Sequence, residues 1–278
     1  MREGRSGGAA VGSDAHKELF CRMLLDTFDP YRPAVIAWPA LEGEALERLT
    51  GLPFWDIAVT TEGETAMRMQ AMAEATRDPL LREAIALNAF EERRHKEVLE
   101  HMIRFYGIPL APEPAYARPA DPERAFVETG YGECFDSFFA FGLFKLARDS
   151  GFFPPALVEV FEPVIQEEAR HNLFFANWIA YAQARRPPWR RPAFAGRRLA
   201  ALAGRAWNRL SFAGEQRNNS RMTIKGHESM GIRLSPRSFI EICLAENERR
   251  LGRYDGRLLR PRVLPWLAGA LRPLLGRA

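Results

Sequence analysis

From about residue 55 to residue 184 the chain repeats apolar positions with the period of a helix, and the repeats are broken by turn residues rather than by strand-like alternation. "FWDIAVTTEGETAMRMQAMAEAT" predicts a helix over roughly 55–76. "RDP" ends it, because a proline disfavours helix in the residue before it. "LLREAIALNAFEERRHKEVLEHMIRFYG" predicts a second helix over roughly 79–106, stopped by Gly107 and Pro109. One face of that helix runs Leu81, Ile85, Asn88, Glu92, His95, Leu99, Met102, apolar at both ends and polar in the middle. The connector between the two helices is short, which makes them antiparallel neighbours.

A proline-rich connection, "GIPLAPEPAYARPADPE", follows over 107–123. "YGECFDSFFAFGLFKLARD" predicts a third helix over roughly 131–149, its phenylalanines serving as core packing or as the lining of an apolar substrate cavity. After "SGFFPP", "ALVEVFEPVIQEEARHNLFFANWIAYAQA" predicts a fourth over roughly 155–184, with a kink expected at Pro163. Two hairpins joined by one long crossover describe a four-helix bundle. The chain therefore reads as all-α: 1–54 as a disordered start (1–13) and a leading helix, 55–184 as the bundle, and 185–278 as a helical C-terminal extension. Whether that extension packs on the bundle stays open at this level.

The polar middles of the second and fourth helices carry the chemistry. "EERRH" at 91–95 and "EEARH" at 167–171 are the same pentapeptide frame. Glu92 and His95, three apart, lie about 60° apart on one helical face, and Glu168 and His171 repeat the arrangement. A carboxylate and an imidazole on a core-facing stripe are costly unless paired or bound to metal. Together they suit iron or manganese. Helix rise and turn position then locate the facing residues. Opposite Glu92 and His95, at about 61–64 on the first helix, stand Glu62 and Glu64, and Glu62 is preferred because Val59, Ala66 and Met69 share its face. Gly63 between them points to close packing. Opposite Glu168 and His171, at about 132–136 on the third helix, stand Glu133 and Asp136.

This set resembles the ferritin-like di-iron carboxylate superfamily, in which two helices give one carboxylate each and two give a Glu-x-x-His each. The resemblance spans about 55–184 and is closer to the oxygen-activating branch than to storage ferritins. It implies metal ligands Glu62, Glu92, His95, Glu133, Glu168 and His171, with Glu92 and Glu168 bridging and Glu62 and Glu133 terminal. It also implies two iron ions, or a manganese–iron pair, and O2 as co-substrate. The expected activity is oxidation of a small organic substrate by hydroxylation, desaturation or N-oxygenation, with electrons from an external reductase, since no flavin, NAD or iron–sulfur motif is present. A ferroxidase or iron-handling protein and a metal-free helical interaction module are the alternatives.

Other residues take plainer expectations. Asp136 is a candidate acceptor for a histidine N–H, and Asn88 and Thr65 either hydrogen-bond a ligand carboxylate or are satisfied by backbone. Glu91, Glu167 and Glu64 are expected to be solvated or paired with nearby arginines, with Arg94 and Arg170 either as surface partners or in a buried charge pair near the site. Cys134 is expected to face away from the site and Cys243 to lie in the core. His101 and His227 are expected outside the site, and the polar stretch "RNNSRMTIKGHESMG" has no assigned role.

Net charge is +4 with a pI of about 9.1, and most of the excess is arginine beyond residue 184. That mild basicity fits an acidic carrier protein or an anionic surface. No nucleic-acid partner is expected, and a homodimer is compatible. Three scattered cysteines and no apolar leader point to the cytoplasm, and no stretch reaches the roughly 20 apolar residues of a membrane span.

Overall fold

The computed structural model describes residues 9–215 and 234–275, with backbone alone over 205–215 and at 274. Residues 1–8 of the expected disordered start, and His227 with its polar stretch, lie outside the described residues. Among the described residues the structure is all-helical, with no strand. Its α-helices are α1 (Asp14–Asp26), α2 (Gly43–Thr50), α3 (Trp55–Ala75), α4 (Pro79–Tyr106), α5 (Pro122–Ser150), α6 (Pro155–Arg185), α7 (Arg191–Glu215), α8 (Pro236–Leu251) and α9 (Val263–Leu271). No described helix is long and apolar enough to cross a membrane.

Local chemistry sets the helix ends. Ser13 caps α1 by accepting from the His16 N–H at 3.1 Å. Asp78 accepts from the N–H groups of Leu80 and Leu81, each at 3.1 Å, with Pro79 in the first turn of α4. Gly107 closes α4 in the left-handed conformation, φ 64°, and Gly151 closes α5, φ 65°. α3 and α4 therefore form one tight hairpin and α5 and α6 another, with 107–121 running between them.

α5 begins about nine residues before the expected start. Its start is set by Asp121, which caps the helix, and by Pro122 in the first turn, so the helix runs through Gly130 and Gly132. The glycines serve packing. A Cβ on Gly130 would sit 2.1 Å from the Phe175 ring, so α5 and α6 approach there only because the side chain is missing. α6 continues through Pro163.

The two hairpins pack mainly through α3 on α5, with α4 meeting α6 at the centre. α1 lies against α4 and α6 and belongs to the principal core: Phe20 meets Phe174 with ring centroids 5.4 Å apart. α8 packs on α5 and α6, so this part of the extension is docked. Cys243 is buried in that contact, where a Cβ on Gly142 would come within 2.4 Å of its sulfur. The buried Arg250 of α8 pairs with Glu162 of α6 at 2.9 Å.

Two apolar clusters fill opposite ends of α3–α6. Ile85 and Ala89 join Leu173 and Phe174 in one. Met102 and Ile103 join Trp55, Val59 and Leu157 in the other. The polar layer of Glu92, His95, Glu168 and His171 falls between these stretches on α4 and α6.

Candidate metal centre

Helical spacing turns Glu92 and His95 of α4 to the same side, and Glu168 and His171 of α6 come to meet them. The two imidazole centroids are 5.7 Å apart. His95 Nδ1 lies 3.1 Å from Glu168 Oε1, 3.7 Å from Glu62 Oε2 and 3.9 Å from Glu92 Oε2. His171 Nδ1 lies 2.9 Å from Glu92 Oε1. One oxygen of Glu92 thus faces each histidine. Single donor atoms from Glu62, Glu92, His95 and Glu168 all fall within 4.8 Å of one another, a spacing that can hold a metal ion. Glu133 joins from α5, where Thr65 donates to its Oε1 at 3.2 Å. Ser137 donates to Glu168 Oε2 at 3.4 Å. Glu64 points outward and pairs with Arg68.

Behind the histidines the two pentapeptides hold each other. His95 Nε2 bonds Glu167 Oε2 at 2.8 Å, and Arg94 pairs with the other oxygen of Glu167 at 2.5 Å. Reciprocally, His171 Nε2 bonds Glu91 Oε2 at 2.7 Å, and Arg170 pairs with Glu91 Oε1. Of the alternatives left open for Glu91, Glu167, Arg94 and Arg170, the buried arginine pairs hold and solvation does not; Glu91 has no exposure at all. One expectation is corrected. The histidine acceptors are these glutamates and not Asp136, which lines a pocket beside Glu133. The reason is geometric. Neighbouring helix positions are about 100° apart, so Glu91 points away from the face of Glu92 and toward the facing helix. The signal was present in the whole pentapeptide: Glu, Glu, Arg and His recur, while the variable third position is exposed Arg93 in one copy and buried Ala169 in the other.

Four of the donor atoms at the centre have no hydrogen bond. Both oxygens of Glu92, Nδ1 of His95 and Nδ1 of His171 are buried without a partner. Glu168 Oε1, though near His95 Nδ1, lacks the alignment of a hydrogen bond. Asn88, buried one turn before Glu92, also leaves its Oδ1 unpartnered. Buried carboxylates and imidazoles left this way are destabilising unless a cation satisfies them.

The electrostatics agree. Burial pushes the Glu62 carboxyl up to about 8, and the charges of Glu92 and Glu168 add to it despite the help of His95. Burial, with Glu92, Glu168, Glu62 and Asp136 nearby, lifts Glu133 well above the usual carboxylate range. Burial also acts against the charged form of Glu168, but His95 overcomes it and lowers that carboxyl. For His171 burial favours the neutral ring, yet Glu92 and Glu91 raise it to about 10. His95 is raised well above its ordinary value, its burial outweighed by Glu167, Glu168 and Glu62. So much negative charge in one dry place is what divalent cations relieve.

A pocket of about 320 Å³ reaches this centre from the side of α3, α5 and α6. Glu62, Glu133 and Glu168 form its floor, and Phe54, Ile57, Ala58, Leu143, Val164 and Ile165 contribute apolar walls. Cys134, next to Glu133 in sequence, faces a different cavity, as expected from its helical position. Compared with known proteins, the chain matches no protein-family model, no curated protein and no solved structure.

Proposed function

We propose that this chain is a non-haem di-iron oxidoreductase of the ferritin-like class, with α3–α6 as its four-helix bundle and 107–121 as the crossover. In this reading Glu62, Glu92, His95, Glu133, Glu168 and His171 hold two iron ions, or a manganese–iron pair. The observation that carries it is the pair of histidines whose Nε2 atoms are fixed by buried glutamates while both Nδ1 atoms face Glu92 without a hydrogen bond. Four carboxylates among the six ligands offset the charge of two divalent cations. Iron so held supplies the O2-dependent redox chemistry that carboxylates and imidazoles lack.

The chain's own residues do the rest. Glu91 and Glu167 accept the Nε2 protons, which leaves each Nδ1 lone pair free for a metal. Arg170 and Arg94 pair with those glutamates and hold them in place. Glu92 presents one oxygen to each half of the site. The apolar walls of the pocket at Glu62, Glu133 and Glu168 suit a small, largely uncharged organic substrate. Electrons would come from an external reductase.

The test is iron content after anaerobic ferrous loading, for the wild type and for His95→Ala with His171→Ala. Two irons per chain, lost in the double variant, are expected. No bound metal in the wild type would overturn the reading. Oxygen uptake that rises only with an organic substrate supports the oxidase; uptake that needs ferrous ion alone would assign a ferroxidase instead.

A further inference from the structure

α9 presents an apolar stripe to solvent. Val263, Trp266, Leu267, Ala270 and Leu271 fall at i, i+3, i+4, i+7 and i+8, one continuous helical face. In a docked helix that face is buried. Here Trp266 is 70 % exposed, Leu271 51 %, Val263 48 % and Leu267 42 %. The helix is held by its opposite side, where Ala268 and Leu264 pack with Phe138 and Phe239. The stripe is therefore aimed outward by a fixed scaffold.

The charge around it is mainly basic, with Glu248 of α8 as the acidic residue that shares a cavity with Arg260, Arg262 and Trp266. From Gly256 to Leu275 the chain has four arginines and no acidic residue. Arg257 pairs with Asp255 at 2.6 Å. Arg260 bonds only the backbone carbonyls of Tyr254, Asp255 and Leu258. No carboxylate lies within ion-pair distance of Arg260, Arg262 or Arg272 among the described residues. Arg198 of α7 lines the same cavity as Arg260 and Arg262, which adds α7 to this basic side. Across the whole chain, residues 1–184 hold 18 basic and 29 acidic residues, net −11, and 185–278 hold 21 and 6, net +15.

We infer that α9 docks this protein on an anionic lipid surface. An exposed tryptophan with leucines beside it, flanked by Arg262 and Arg272 that have no ion pair among the described residues, matches the interfacial region of a bilayer, where apolar side chains enter between headgroups and guanidinium groups meet phosphates. The opposite charge of the first two thirds orients the molecule with α9 toward the anionic surface. This surface is separate from the Glu/His centre and does not depend on the metal reading.

Co-sedimentation of the full chain with phosphatidylcholine vesicles, with and without phosphatidylglycerol, tests it. Binding is expected on the phosphatidylglycerol vesicles and about tenfold weaker on phosphatidylcholine alone. Arg262→Gln with Arg272→Gln should weaken it about fivefold for each arginine removed. Trp266→Ser with Leu267→Ser should abolish it while leaving helical content unchanged, because both side chains are exposed. Absence of vesicle binding by the wild type, or equal binding by the serine variant, overturns the proposal. So does a dimer in sedimentation velocity that the serine variant dissolves, which would make a second copy the occupant.

Discussion

The two pentapeptides are nearly identical in sequence, yet their surroundings differ. Around Glu167, Tyr31 adds a hydrogen bond at 3.2 Å and lies under the Arg94 guanidinium, 3.9 Å from its ring centroid. Arg94 also donates to the Asp29 and Tyr31 carbonyls. Around Glu91 the support is plainer: Arg170 donates to the Leu24 carbonyl and to Thr27 Oγ1, each at 3.1 Å. Within 4 Å of Nδ1 among the described residues, His95 has the carboxylates of Glu62, Glu92 and Glu168, and His171 has that of Glu92. The last turn of α1 and the strand-less connection after it serve both halves, though nothing in 24–31 repeats. A near-twofold centre is thus braced by one non-repeated segment, and its two halves need not respond alike.

The strongest way to separate the halves is to remove the buried glutamates. Glu91→Ala strands Arg170 and His171, and Glu167→Ala strands Arg94 and His95. Each is expected to lower stability by roughly 3–5 kcal/mol, read by denaturant unfolding of the metal-free chain. The milder Glu91→Gln and Glu167→Gln should each weaken iron binding by about 10- to 100-fold, Glu91→Gln through the His171 half and Glu167→Gln through the His95 half. Equal loss of both irons in both variants would mean the halves act as one unit.

Proton linkage comes next. Glu62 is held up to about 8 against an ordinary 4.5, so between those values the folded metal-free chain binds more protons than the unfolded one, and stability falls as pH rises. His171, held at about 10 against 6.5, contributes fully below 6.5 and is lost as pH climbs toward 10. Both slopes have the same sign. The metal-free chain should lose stability most steeply from about pH 6.5 to about 8, where both groups act, and ferrous loading should oppose that loss, because ligands bind metal deprotonated. Thermal melts across pH, with and without anaerobic iron, check it. A metal-free chain that gains stability over this range would contradict the charge assignment.

Smaller effects test the packing that holds the halves together. Gly130→Ala drives a methyl into the Phe175 ring and should cost about 1–3 kcal/mol, whereas Gly63→Ala meets the hydroxyl end of Tyr116 on the 107–121 connection and should cost less. Tyr31→Phe removes one hydrogen bond from the His95 half alone. It should lower stability by about 1 kcal/mol and leave the His171 half unchanged.

Much of this was legible beforehand. Helical periodicity, the proline and glycine stops and the short "RDP" connector placed α3, α4 and α6 to within a few residues. Helix rise from Asp78 pointed to 61–64, and Glu62 is the residue of that window that reaches the centre. The start of α5 lies about nine residues before the expected one, and Gly130 within it is explained only by the Phe175 ring that packs against it. Glu91 and Glu167 stay open between solvent and a buried arginine pair in the sequence, because on its own helix each points off the apolar stripe, and a single helix cannot say what it will meet.

Local chemistry written in the chain therefore determined the helices, their ends and the face that carries Glu92, His95, Glu168 and His171, because those depend on spacing of a few residues. Tertiary structure alone decided that each Glu of one pentapeptide locks the His and Arg of the other, that α1 braces both, and that α9 turns its apolar stripe outward. Those are contacts between segments tens of residues apart, and their geometry exists only once the helices are packed.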